Sequence, residues 1–154
     1  MVLWQREGEN FTGFTTLFLV LYTLFFAATE GAGGSGNSGG DGFGNTLTLL
    51  VDGATLTSQG LYLNANAFGG TATGSGNGGA GTGGDVDILV DNGGGLDINS
   101  TAPGTLFEVY ADTRGGSAQS GIGGSATGGS ITLQASNTST ISAGQTDLIV
   151  FNSG

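Results

Sequence analysis

Apolar and polar residues alternate with a period of two in several short runs of this chain. Val86, Ile88 and Val90 alternate with Asp85, Asp87 and Leu89, and Ile131, Leu133 and Ala135 alternate with Ser130, Thr132 and Gln134. Such alternation sends one set of side chains to the inside of a strand and the other outside. A first version of the same run, residues 46–51, fits with its apolar residues one position later, which predicts a bulge or a small deletion there. Further short apolar runs occupy residues 61–63, 96–98, 107–109 and 148–150. Beyond the N-terminus no segment offers a helical face, so the pattern predicts an all-β fold.

The runs are spaced by an internal repeat. Gly34-Ser35-Gly36-Asn37 returns as Gly74-Ser75-Gly76-Asn77, a shift of 40 shared by Tyr22 and Tyr62, Ala27 and Ala67, and Gly44 and Gly84. Leu56 and Leu96 each lie 12 positions after the last glycine of a Gly-rich block, and Ile141 lies 12 after Gly129. The middle unit carries about eight extra residues around positions 100–104, including Pro103, which read as a loop insertion. Self-similarity at a fixed period of this size marks stacked architectures. Short strands broken by glycine bury little alone, but stacked as coils of a parallel β-helix they share one core. A unit of 40 residues then predicts about two coils of roughly 20, around seven coils in all and a height of about 35 Å.

Residues 1–30 form an apolar N-terminal segment and residues 31–154 the Gly-rich repeat. Residues 14–28 (FTTLFLVLYTLFFAA) admit three readings: a degenerate repeat strand, a signal peptide or a membrane anchor. Tyr22 and Ala27 share the repeat shift, and Phe, Val, Thr and Tyr suit strands. Arg6, Glu7 and Glu9 make a poor positive region for a signal peptide, and the apolar stretch is short for a span.

Composition narrows the class. The 154 residues hold 34 glycines and one proline, without the every-third-residue glycine of collagen. Hydrophobic residues make up 37% of the chain, too many for plain disorder. With 12 acidic residues against two arginines, the net charge of -10 excludes the basic surface that nucleic acid requires. Without cysteine there is no disulfide framework.

Candidate chemistry is sparse. Gly34 to Gly39 and Gly74 to Gly79 match the dinucleotide pattern GxGxxG, but no strand-to-helix context surrounds them. Gly36-Asn37-Ser38-Gly39-Gly40 matches GxSxG, yet the chain has no histidine to serve as its base. No catalytic or cofactor-binding residue is assigned, and the chain reads as a non-enzyme. The blocks at 39–45 and 78–85 resemble the calcium nonapeptide with glycine at its aspartate position, Gly44 and Gly83. Asp41, Asp85, Asp87 and Asp91 are therefore weak calcium candidates, set against a plain solvated acidic face. Asn10, Asn99 and Asn137 open N-x-[ST] triplets, and Thr46, Thr48, Thr55 and Thr57 suggest an ice-binding ladder whose spacing is not kept between units.

From about residue 31 onward, the rhythm of a GG-x-G-x-GG block, a short apolar strand, and Leu or Ile 12 positions on resembles the repeat regions of filamentous-haemagglutinin-type adhesins and autotransporter passengers. The resemblance implies a right-handed parallel β-helix, export to the cell surface or medium, and adhesion or scaffolding against a host or neighbouring cell surface, carbohydrate included. Other readings are a non-catalytic fragment of a carbohydrate-active β-helix enzyme, or a calcium- or ice-binding module. A repeat of this kind predicts continuation in a longer chain, and its exposed strand edges predict self-association of the isolated chain.

Overall fold

The computed structural model describes residues 2–4, 24–98 and 107–154. All regular structure in them is strand. After β1 (Val2–Trp4) and β2 (Leu24–Ala32) come three successive sets of four strands. The first set is β3 (Gly42–Phe43), β4 (Leu47–Asp52), β5 (Thr55–Ser58) and β6 (Gly60–Phe68). The second is β7 (Gly81–Thr82), β8 (Asp85–Asp91), β9 (Gly95–Ile98) and β10 (Phe107–Arg114). The third is β11 (Ala126–Thr127), β12 (Ser130–Ala135), β13 (Thr140–Ala143) and β14 (Thr146–Ser153). Each set places one strand in each of four sheets: β3-β7-β11 (sheet I), β1-β4-β8-β12 (sheet II), β5-β9-β13 (sheet III) and β2-β6-β10-β14 (sheet IV). All pairs are parallel except β1 with β4, which is antiparallel.

Register follows the apolar pattern. Leu56, Leu96 and Ile141 stack in one column of sheet III, and Leu49, Ile88 and Leu133 in one of sheet II, as the spacing predicts. The size of the step is different from the expectation. Leu47 pairs with Val86 and Val86 with Ile131, so neighbouring strands are a whole unit apart rather than half of one. Two coils per unit, seven coils and a 35 Å stack are therefore wrong. The widest sheet has four strands and spans about 14 Å at a strand spacing of about 4.8 Å. The Gly-rich half of each unit forms no second coil, because its residues do not run around the core.

Two local expectations also change. Between residues 46 and 51 there is no bulge, and the small deletion is the alternative that holds: Leu47 through Asp52 pair without interruption with Val86 through Asp91, and the step rises from 39 to 40 between Asp52 and Thr55, where the first corner is one residue shorter than the second. In β2, Ala27 lies opposite Leu63 and Gly31 opposite Ala67, so the shift of 40 that matches Ala27 to Ala67 is not the pairing register. Residues 24–28 of the apolar N-terminal stretch belong to β2, while residues 14–23, Tyr22 among them, lie outside the described residues. The insertion around Pro103 lies outside them as well. Its place is marked by the eight residues between β9 and β10, against the single Gln59 between β5 and β6.

The core lies between sheets II, III and IV. Val86, Ile88, Val90, Leu96, Ile98, Phe107 and Val109 of the middle set are fully buried, with Leu49, Val51, Leu61 and Leu63 of the first set beside them. Asp85, Asp87 and Leu89 point outward, the alternation read from the sequence. Burying each large apolar side chain contributes about 1.5–3 kcal/mol, so each set of strands strengthens its neighbours.

Glycine does something separate. The chain leaves sheet IV at Gly33-Gly34, Gly69-Gly70 and Gly115-Gly116, and returns towards sheet I at Gly39-Gly40, Gly78-Gly79 and Gly123-Gly124. The outgoing and returning limbs interleave through backbone hydrogen bonds. Gly124 N–H donates to Gly116 O, Gly116 to Gly79, Gly79 to Gly70, Gly70 to Gly40 and Gly40 to Gly34, at 2.7–2.9 Å. The lobe beyond them continues the stack, with isolated parallel bridges from Gly36 to Ala72 and from Ala72 to Ala118. A Cβ on Gly79 would fall within 3.0 Å of the carbonyl group of Gly40, and one on Gly116 equally close to that of Gly70. These glycines are fixed by space, whereas Gly53 and Gly93 are fixed by φ values of +58° and +72°.

Gly79→Ala should therefore destabilise the chain by about 3 kcal/mol or more, since backbone cannot give way as a side chain can. Gly123→Ala, where the nearest atom outside its neighbours is 3.7 Å away, should leave the denaturation midpoint nearly unchanged. Urea melts of the two variants check the contrast, and equal midpoints would refute the space argument.

Candidate functional site

The acidic residues singled out by the sequence are held in different places. Asp91 ends β8 at the corner between sheets II and III, aligned with Asp52 below and close to Ser136 above. Its Oδ1 accepts hydrogen bonds from Ser136 Oγ (2.8 Å), Asn137 Nδ2 (2.7 Å) and its neighbour Asn92 N–H (2.8 Å). Asn92 Nδ2 in turn donates to Asp52 Oδ1 at 2.6 Å. Gly53, Asn92 and Asn137 carry the chain around this corner with φ near +50 to +58°. Asn tolerates that conformation because its short side chain bonds locally. The third sequon asparagine is thus a turn residue, while Asn10 and Asn99 lie outside the described residues.

Asp85 and Asp87 share the outward face of β8, where Asp85 accepts from Ser130 Oγ at 2.7 Å. Asp41 sits in the glycine lobe and accepts from Ala80 N–H at 2.8 Å. Among the described residues no three carboxylates or other ligating groups converge as a metal would require. The two GxGxxG stretches both lie in the glycine lobes, and among the described residues no helix follows either. The threonines do not form a continuous ladder: Thr48 is followed across its sheet by Asp87, Thr55 by Gly95 and Thr57 by Asp97.

The chain matches no family model, no curated protein and no solved structure.

The richest chemistry lies on the outward face of sheet IV, which sequence reasoning did not pick out. There β6 presents Tyr62, Asn64, Asn66 and Phe68, and β10 presents Glu108, Tyr110, Asp112 and Arg114. The Tyr62 and Tyr110 rings pack with centroids 5.4 Å apart, tilted by 40°. Asn64 Nδ2 donates to Tyr62 Oη at 3.2 Å. Arg114 lies between Phe68 and Phe151, 5.7 and 5.4 Å from their centroids, and its Nε donates to Asp112 Oδ2 at 2.8 Å. That carboxylate pushes the guanidinium pKa further up. Desolvation, then the charge of Glu108, raises the Tyr110 phenol above its ordinary value. The β6–β10 ladder skips Ala111 and Asp112, and Asp112 N–H donates instead to Asn66 Oδ1 at 2.9 Å. Asp112 Oδ1 and Asn64 Oδ1 are buried without a hydrogen-bond partner. The available signal was the period-2 series Tyr62-Asn64-Asn66-Phe68, whose polar positions carry amides and rings rather than simple hydroxyls.

The three donors to Asp91, Ser136 first, hold its carboxyl below the usual carboxylate range. A depressed native pKa contributes stability that is present above the unfolded value near ~3.9 and lost as pH falls through the native value. The melting temperature of the wild type relative to Asp91→Asn should therefore be higher at pH 6, begin to fall as pH drops below about 4, and converge only once pH lies below the native value. Thermal melts across that window check this, and a pH-independent difference would show that the corner bonds act without the charge.

Proposed function

We propose that this chain is a structural and adhesive segment of a secreted or cell-surface β-helix protein of the bacterial adhesin type, working as a rigid rod. The observation that carries the reading is the in-register stack: each successive set adds one strand to each of four sheets, so growth runs along one axis only. Tracing sheets I to IV in turn and stepping up one strand gives a solenoid path. Its hand is taken as right, because connections between parallel strands of one sheet are right-handed nearly always. Continuation of the same repeat in a longer chain fits this architecture.

The adhesive part of the reading rests on the outward face of sheet IV. Flat rings beside amides and carboxylates suit a saccharide, whose apolar faces stack on aromatics while its hydroxyls bond to polar groups. Glu30, Glu108, Asp112 and Asp147 against the single Arg114 favour a neutral sugar over a polyanion. No catalysis is assigned to this surface.

Two measurements test the proposal. Protease treatment of intact cells of the source organism should release fragments of the chain, and full protection inside the cell would overturn the surface location. Retention on beads carrying a neutral glucan should fall about tenfold for Tyr62→Ala/Tyr110→Ala, equivalent to about 1.4 kcal/mol, with the fold retained by circular dichroism. Unchanged retention would remove sheet IV from the adhesive role.

A further inference from the structure

Sheet IV departs from regular pairing at one place, and that place divides its outward face in two. Among the described residues every other parallel strand pair is unbroken in register, whereas β6 and β10 part at Ala111 and Asp112. There Asn66 Oδ1 takes the Asp112 N–H, and the Asp112 carboxylate engages Arg114. Irregularities of this kind re-aim side chains and are common beside binding sites. On one side of the break stands the Tyr62–Tyr110 ring pair, and on the other stands Phe68 with Arg114 over its ring. Tyr62 and Phe68 share one face of β6 and lie about 20 Å apart along it. The stretch between them is polar. Asn66 is half-buried there, and its Nδ2 has no partner among the described residues. At the tyrosine end Glu108 lies beside Tyr62, and Asp147 follows it in the same column.

We infer that this face takes a straight, neutral, β-linked glycan of roughly four or more sugar rings, lying along β6 and β10 and so across the direction in which the strands stack. The inference rests on the saccharide reading of the face and adds to it a shape, a length and a direction. Two ring platforms with a polar stretch between them suit a flat ribbon of linked sugars. Such a ribbon offers ring faces to the aromatics at both ends and hydroxyls to the amide in the middle. A glycan that coils, as α-linked glucans do, cannot rest on both platforms of one strand pair. Along the stack the rings do not continue. The Tyr62 column runs on to Glu108 and Asp147, and Tyr110 is flanked by Asn64 and Ile149. Charge selects in the same sense: Glu108 and Asp147 accept from hydroxyls and repel a uronate or a sulfate.

Titration of the chain with cello-oligosaccharides from the disaccharide to the hexasaccharide, followed by amide chemical shifts, tests this. The Kd should fall about tenfold between the disaccharide and the tetrasaccharide and then level off. Malto-oligosaccharides of the same lengths should show no such gain. Phe68→Leu, which keeps apolar bulk without a ring, should remove the gain with length and leave the disaccharide affinity unchanged, and Phe68→Tyr should keep the gain. The amide spectrum of each variant reports its fold in the same experiment. A disaccharide that binds as tightly as the hexasaccharide would overturn the inference and leave the saccharide reading standing. So would a Phe68→Leu chain that keeps the whole gain, or a malto series that matches the cello series. Absence of binding at every length and linkage would overturn both.

Discussion

Backbone touching backbone, with no side chain between, is the contact on which the rest of this structure depends. Outgoing and returning glycine limbs bond from Gly124 down to Gly34 in one continuous series, and a methyl group on Gly79 or Gly116 would break it. The limbs sit between sheet IV and sheet I, so their close approach sets how the chain passes from one set of strands to the next. The lobes vary in length, with four residues between the glycine pairs of the first, seven in the second and six in the third. Because the pairs themselves stay stacked, these differences are absorbed within the lobes, which are tied at their bases by Thr71 Oγ1 and Ser117 Oγ 3.3 Å apart and further out by Ser120 Oγ donating to Gly74 O. The pairing steps of 36 to 46 residues then coexist with an unbroken core.

A division of labour follows from this. The apolar face of each strand contributes burial, the glycine limbs fix the spacing, and the corners are closed by polar ladders such as Asp52–Asn92–Asp91–Asn137. Buried hydroxyls serve the same end locally: Thr113 Oγ1 donates to Gly128 O at 2.6 Å and Ser58 Oγ to Gly60 O at 2.7 Å. The outward face of sheet IV is left outside this division. Removing Tyr62, Tyr110 or Asn64 would empty no core and break no corner, which makes it the part of the molecule freest to carry recognition.

The sequence shows which way each strand faces more clearly than which strand it meets. Period-2 alternation at Val86-Ile88-Val90 and Ile131-Leu133-Ala135 placed those residues correctly, and the spacing of Leu56, Leu96 and Ile141 from their glycine blocks predicted a true column. The step between strands is less legible, because Gly33 to Gly40 and their counterparts lengthen each unit while folding away from the core. The same residues explain why the identity shift of 40 departs from the real register of Ala27 and Gly44. Matching letters in low-complexity glycine can slide by a residue without cost, whereas apolar side chains entering a core cannot. The Tyr62–Tyr110 pair was illegible for a related reason: Tyr62 lies opposite Glu108, and its stacking partner is one outward position further along β10.

The acidic residues show how a uniform charge can have several local meanings. Asp91 is tied into a corner by three donors, Asp85 is bonded to the strand above, Asp41 caps a glycine limb, and Asp112 holds Arg114 against two rings. Each is bonded locally, and where two carboxylates come near each other, at Asp52 and Asp91, Asn92 donates to both. The negative charge is also unevenly spread, falling to one residue in the last set of strands while the middle set carries six of the 12 acidic groups.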